Sequence, residues 1–257
     1  MLSKIDLNAD LGEGYGPWSM GDDAAMLDVV TSANVACGGH ASDPETMFRT
    51  LTLARERGIV VGAHPSYPDR EGFGRRRLPH SPAEMERFVA AQVGALMAIG
   101  ALAGQPVSYV KPHGALANLA ADDRVAAEAI VKAIAAVDGR LAILAISGTE
   151  LELAAKARGV PCYSEVFADR GYTDRGRLVP RGQPGAMIHD PAEACARLLG
   201  FLKTGLMPTA DGGRIELEAH SVCVHGDSPG AVVMARYIRD AFAKAGVEAA
   251  PFLKQGA

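Results

Sequence analysis

The stretch Ile5-Asp6-Leu7-Asn8-Ala9-Asp10-Leu11-Gly12-Glu13-Gly14 decides the fold. Its apolar residues alternate with polar ones, which is the period of a strand, and it ends in a turn punctuated by glycine. Asn8, Asp10 and Glu13 thus fall within six residues, where a strand runs out into a loop. Asp10 and Glu13 either cap the helix that follows or belong to a site built from strand ends. Recurrence favours the site. Four more apolar runs end in histidine beside glycine or proline: Gly38-Gly39-His40, His64-Pro65, Lys111-Pro112-His113-Gly114 and His225-Gly226-Asp227.

Outward from that stretch, strand and helix alternate to the end of the chain. Strands are expected at Ser32–Cys37, Ile59–Ala63, Val107–Val110, Leu141–Ile146, Val160–Val166 and Ser221–Val224. Four helices open on Ser or Asp before proline, at Asp43-Pro44, Ser81-Pro82, Asp190-Pro191 and Ser228-Pro229, and Ser81 with Glu84 forms a capping box. Helices over 21–30, 122–137 and 150–158 complete the set, and the one from Ser228 carries Val232, Val233, Tyr237 and Phe242. Leu141–Ile146 is apolar throughout, as a parallel strand covered on both faces must be. A seven-stranded (β/α) barrel follows, occupying residues 1–257 as one domain. A doubly wound sheet would gather its polar residues at one switch point, whereas here they follow almost every strand.

In such a barrel the strand C-termini open on one face. Asp10 and Glu13 follow strand one, His40 strand two, His64 strand three, Lys111 and His113 strand four, Glu165 strand six, and His225 and Asp227 strand seven. Burying so many ionisable groups unpaired would cost several kcal/mol each. A shared site explains them better than packing does. Two chemistries fit: a divalent metal that activates water against a carbonyl, or acid–base catalysis around a charged small substrate with Lys111 holding an oxyanion. His80, His189 and His220 fall outside the pattern. The connection from Phe167 to Ile188, with Arg170 and Arg181, has the length of a lid or binding loop. Arg75-Arg76-Arg77 reads as a solvated basic loop, or as one arginine reaching an anion.

A net charge of −4 and a pI near 6.0 give no global attraction to nucleic acid or an anionic membrane. Neither a GxxxxGKS nor a GxGxxG phosphate cradle occurs. The longest apolar stretch, Val93–Ala103, falls short of the roughly 20 residues a membrane span needs, and the start lacks the pattern of a secretion signal. Four single cysteines without paired spacing suit reduced core residues, so a cytoplasmic location is expected.

Taken together, Asp6–Glu13, Ala36–His40, Gly62–Asp69, Lys111–Leu116, Glu165–Arg170, Val179–Gly185 and Val224–Gly230 closely resemble the LamB/YcsF family, known as the A component of a bacterial 5-oxoprolinase. The resemblance runs end to end. It implies ATP-dependent opening of the lactam of 5-oxo-L-proline to L-glutamate, with ATP, accompanied by Mg2+, as co-substrate and subunits B and C as partners. It also implies a distorted TIM-like barrel similar to polysaccharide deacetylases, whose Asp/His/His metal site maps by position onto Asp10, His64 and His113, with His40 as the substitute. On this basis Asp10, His40, Lys111, His225 and Asp227 are the expected catalytic residues. Asn8, Glu13, Glu165, Arg170 and Arg181 are the expected substrate-binding residues. Two positions depart from the family pattern: Gly39 stands for Phe and Ala117 for Tyr, and these losses of aromatic bulk beside expected site residues would either enlarge the pocket or weaken the substrate assignment. Competing readings are a self-sufficient metal-dependent amide hydrolase and a non-catalytic scaffold protein. Self-association of the chain is left open.

Overall fold

The computed structural model describes residues 2–227 and 230–254. In chain order the elements are β1 (Lys4–Leu11), α1 (Asp23–Leu27), β2 (Ser32–Ala36), α2 (Pro44–Glu56), β3 (Val60–His64), α3 (Pro82–Ala103), β4 (Val107–Val110), α4 (Gly114–Asp122) and α5 (Arg124–Val137). There follow β5 (Ala142–Ile146), α6 (Glu150–Arg158), β6 (Cys162–Phe167), α7 (Pro191–Thr204), a hairpin of β7 (Leu206–Pro208) and β8 (Arg214–Glu216), β9 (Ser221–Val224), α8 (Ala231–Lys244) and β10 (Glu248–Ala249). Seven parallel strands close the barrel in the order β1-β2-β3-β4-β5-β6-β9, and β9 returns to β1 with Asp6 opposite Ser221. The register shifts between Val61 and Gly62, which distorts the wall between β3 and β4.

The helix starts behave as their sequences dictate. Asp43 accepts from the amides of Glu45 and Thr46, Asp190 from that of Ala192, and Ser81 and Glu84 satisfy each other's backbone donors. Gly104, Gly159 and Gly205 end α3, α6 and α7 in the left-handed conformation. α1 is capped by Asp22, so Asp10 and Glu13 are not its caps. The start expected at Ser228-Pro229 lies outside the described residues.

Some expectations shift. The helix expected from 122 begins at Arg124, after a separate α4, because the Asp123 carboxylate turns the chain and caps α5. Val125 then sits in the first turn, exposed, as are Val233 and Tyr237 on α8, whose buried face is Met234, Ala235, Ile238 and Phe242. Val93–Ala103 is only the second half of α3, a helix of 22 residues that is long and apolar enough to cross a membrane by length and composition. Here its Met85, Val89, Val93, Leu96 and Ala103 are buried where it packs on α2, α5, β3 and β4.

Alternation in β1 is inverted relative to a barrel filled with apolar residues. Ile5, Leu7, Ala9 and Leu11 join the main apolar layer between barrel and helices. Asp6, Asn8 and Asp10 share the other face and meet Ser32, Asn34 and Ser221 of the neighbouring strands. The opposite side of the lumen is apolar: Val60, Tyr109, Ala142 and Leu144, closed by Tyr163, Phe252 and Leu253. Gly62 makes room for this filling, because a Cβ there would lie 2.2 Å from the Tyr109 ring.

Two outcomes follow from the lumen. Gly62→Ala should lower the stability measured by urea denaturation by about 1–3 kcal/mol, the ordinary cost of overpacking. Burial raises the Asp6 carboxyl from 3.8 to about 6 against the hydroxyls of Ser221, Thr31 and Ser32 that donate to it. A raised folded-state pKa favours the fold below the unfolded value, and that contribution is lost as pH climbs through about 6. Asp6 should therefore cost stability between about pH 4 and pH 6, on the order of 3 kcal/mol. Urea titrations across this window should show a shallower pH dependence in Asp6→Asn.

Candidate active site

The polar groups at the ends of β1, β2, β3, β4, β6 and β9 converge on one mouth, while β5 ends in the apolar Ile146. The mouth opens into a cavity of about 710 Å³. Asp10, His64, Lys111, His113, Glu165 and His225 line it, together with Arg75, Arg170, Arg175, Arg177 and Arg181. Asn8, Glu13, His40 and Asp227 do not line it.

Lys111 is the hub. Its buried ammonium lies 3.1 Å from Asp10 Oδ1, 3.1 Å from Glu165 Oε2, 3.2 Å from Asn8 Oδ1 and 3.0 Å from Cys223 Sγ. Burial opposes its charge, but Asp10, Cys223 and Glu165 outweigh burial and raise its pKa well above the usual range. The two carboxylates diverge around it. Burial works against Asp10 as well, yet His64 and Lys111 hold it well below the carboxylate range, whereas burial raises Glu165 despite Lys111. Two carboxylates on one cation, pushed in opposite directions, are suited to different roles. Asn34 donates to both Asn8 Oδ1 (2.7 Å) and Asp10 Oδ1 (2.9 Å), and its own Oδ1 accepts from the Tyr109 hydroxyl (2.7 Å). Asn8 therefore lies beneath the cavity, as a support for Lys111.

Beside the hub is a buried cluster of Glu13, His40, His64 and His113, whose donor atoms lie within 4.8 Å of one another. His40 and His113 stack at 3.7 Å, and Phe73 packs edge-on against both. Burial, then the neighbouring imidazoles, holds His40 and His113 well below the ordinary histidine value. Burial, with Asp10 and Asp227, raises Glu13. Neutral imidazoles and one carboxylate are a donor set that can hold a divalent metal. Asp10 stands at the edge, 3.4 Å from His64 Nε2, with its Oδ1 already engaged by Lys111 and Asn34.

At the opposite rim, both carboxylate oxygens of Asp169 meet His225 Nδ1, at 2.8 and 2.9 Å, leaving Nε2 as the nitrogen open to other partners. Asp227 pairs with Arg75 at 2.6 Å. Arg75 is thus the one of the three consecutive arginines that reaches the mouth, while Arg76 clamps Asp69. Arg170 ties down its own loop through the carbonyls of Val179 and Ala186, and Arg177 pairs with Asp122. Arg175 and Arg181 have no carboxylate partner among the described residues. Of the two departures, Ala117 lines the cavity, but Gly39 does not enlarge it. A Cβ at Gly39 would lie 2.3 Å from Gln92 Oε1, because the Gln92 side chain fills that space and holds the Ser66 backbone.

A model of the LamB/YcsF family matches residues 5–257. The chain belongs to the LamB/YcsF family. Among LamB/YcsF relatives, proteins named as the A subunit of 5-oxoprolinase are 49% identical in Rhodopseudomonas palustris strain BisA53 (98% of this chain, 100% of the relative) and 53% identical in Nocardia farcinica (97% and 99%). The solved "Lactam Utilization Protein" of Thermus thermophilus is 42% identical, with a TM-score of 0.91 over 96% of this chain and 99% of that one. A "T48 deacetylase" shares the fold at 13% identity, with a TM-score of 0.50 over 97% and 88%.

Asn34, Asp169, Ser66 and Phe73 escape a reading of strand ends. Asn34 carried a signal, since Ser32-Ala33-Asn34-Val35 alternates as β1 does. Phe73 carried none; it adopts a left-handed φ of 53°, which the surrounding loop imposes. Lys111→Met would leave Asp10 and Glu165 buried without their cation. It should cost about 3–5 kcal/mol by urea denaturation, the penalty for breaking a buried ion pair from one side.

Proposed function

We propose that this chain is the A subunit of an ATP-dependent 5-oxoprolinase. With subunits B and C it would open the lactam of 5-oxo-L-proline to L-glutamate while ATP becomes ADP and phosphate. Near-complete alignment with relatives named for that component, at 49% and 53% identity, carries this reading. The mouth supports it chemically. A lactam carbonyl is a poor electrophile, and a phosphoryl group on its oxygen makes the ring carbon attackable.

In this reading Arg175 and Arg181, lacking carboxylate partners, take the substrate carboxylate or the phosphoryl group. Lys111 faces the oxygen on which charge develops. Glu165, with its raised pKa, gives a proton to the departing ring nitrogen, and His225, oriented by Asp169, takes one from the attacking water; a second water then releases phosphate from the acyl phosphate so formed, leaving L-glutamate. Glu13, His40, His64 and His113 would hold a divalent metal, whose chemistry when bound is Lewis-acid polarisation and activation of water.

The histidine cluster favours one other reading, a metal-dependent amide hydrolase that works alone. A glutamate assay with and without ATP and the partner subunits separates them. Turnover should require all three subunits and ATP. Asp10→Asn and His113→Ala should lower it about 100-fold or more, as loss of a positioned catalytic group does, while the subunits still co-purify. Ring opening by this chain alone without ATP would overturn the proposal, and unchanged turnover in both variants would mark a scaffold.

A further inference from the structure

The hydrogen bonds around the histidine cluster fix more than its composition. His64 Nδ1 lies 2.6 Å from the Lys111 carbonyl, and His113 Nε2 lies 2.9 Å from the Phe73 carbonyl. Carbonyl oxygens only accept, so both imidazoles donate outward. His40 Nδ1 lies 3.0 Å from Ser66 Oγ, whose own hydrogen goes to the Tyr67 carbonyl at 2.8 Å. Ser66 therefore accepts, and His40 also donates outward. Three lone pairs are left pointing inward: His40 Nε2, His64 Nε2 and His113 Nδ1.

Inside, those lone pairs face each other and a carboxylate. His64 Nε2 and His113 Nδ1 are 3.0 Å apart, and Glu13 Oε1 lies 3.0 Å from His40 Nε2 and 3.7 Å from His113 Nδ1. Between His64 Nε2 and His113 Nδ1 two acceptors meet with no hydrogen of either neutral ring to place between them, and Glu13 as a carboxylate adds a further acceptor, which is the arrangement that outward-bonded histidines give a metal ligand set. The surroundings are equally fixed. A Cβ on Gly74 would lie 2.9 Å from His40 and 3.0 Å from His113, so the loop over the cluster must carry glycine there. Asp10, the acid that a deacetylase-type Asp/His/His set would use, already serves Lys111 and Asn34 through the oxygen nearest His64.

We propose that Glu13, His40, His64 and His113 form a binding site for one divalent transition-metal ion, with Asp10 outside it as the counterion of Lys111. Three nitrogens and one carboxylate suit Zn2+, Co2+ or a similar borderline ion rather than Mg2+ or Ca2+. His64 and His113 line the mouth cavity while Glu13 and His40 do not, so the ion's accessible side faces the cavity. Phe73 and Ser66 become positioning residues, acting through the imidazoles that they orient.

The test needs neither ATP nor lactam, so it stands or falls separately from the oxoprolinase reading. The full chain is stripped with a chelator, then titrated with Zn2+ by calorimetry and with Co2+ by visible absorption. One ion per chain is expected, with ligand-field bands of a nitrogen-rich site and a higher melting temperature in Zn2+. Glu13→Gln and His40→Gln should weaken binding by at least tenfold, Ser66→Ala by about 10- to 100-fold as loss of an orienting partner does, and Asp10→Asn by less than threefold. Melting curves of the metal-free variants establish that each is folded, and Ser66→Ala keeps all four ligands should a ligand variant fail to fold. Absence of stoichiometric binding would overturn the proposal, showing that the imidazoles share protons instead. Loss of binding in Asp10→Asn with retention in Glu13→Gln would also overturn it, in favour of the deacetylase-type set.

Discussion

An ammonium group buried inside a barrel needs negative charge around it, and the position of Lys111 makes that demand on three strands at once. Asp10 from β1, Glu165 from β6 and the sulfur of Cys223 on β9 answer it directly, and Asn8 supplies a further oxygen. The polar half of the lumen follows as a chain of donors and acceptors. Asn34 donates to the Asn8 and Asp10 oxygens that face Lys111 and is itself held by the Tyr109 hydroxyl, and Ser221, Ser32 and Thr31 satisfy Asp6 below them. Buried polar networks are tolerated when every member is satisfied.

The network divides the site in two. On one side of Asp10 is a buried cluster of imidazoles packed against Phe73, of which His64 and His113 reach the cavity. On the other is an open mouth whose rim carries arginines in different employments. Arg75, Arg170 and Arg177 are committed to Asp227, to backbone carbonyls and to Asp122, and so hold the rim in shape. Arg175 and Arg181 are not so committed, which is the electrostatic condition for holding an anion that arrives from solution.

Much of the fold could be read from the sequence because its punctuation is strong. Ser or Asp before proline placed the starts of α2, α3 and α7, and β4 and β9 fell where their apolar runs indicated. Short elements with no period of their own, the β7–β8 hairpin and β10, were not legible, nor was the break at Asp123. For the site, strand ends gave the residues but not their allegiance. Asp10 and Glu13 are three positions apart, yet one pairs with a lysine and the other joins the histidines. That choice is made by β2 and β4, through Asn34, His40 and Lys111, and such long-range pairing leaves no mark on local spacing.

The segment that closes the lumen has a consequence for how the protein is made. Phe252 rests on Tyr109 and Tyr163 at 5.0 and 4.9 Å, and Leu253 packs with the same group. β1 must meanwhile find β9, more than 200 residues later, to seal the wall. β1 therefore waits for β9, and the lumen receives its stopper from Phe252 and Leu253, later still in the chain. Until then β1 presents an unpaired edge with Asp6, Asn8 and Asp10 still in water. Completion of this barrel is thus a long-range closure, the slow class of folding event, and loss of Phe252 and Leu253 would take the plug from its core.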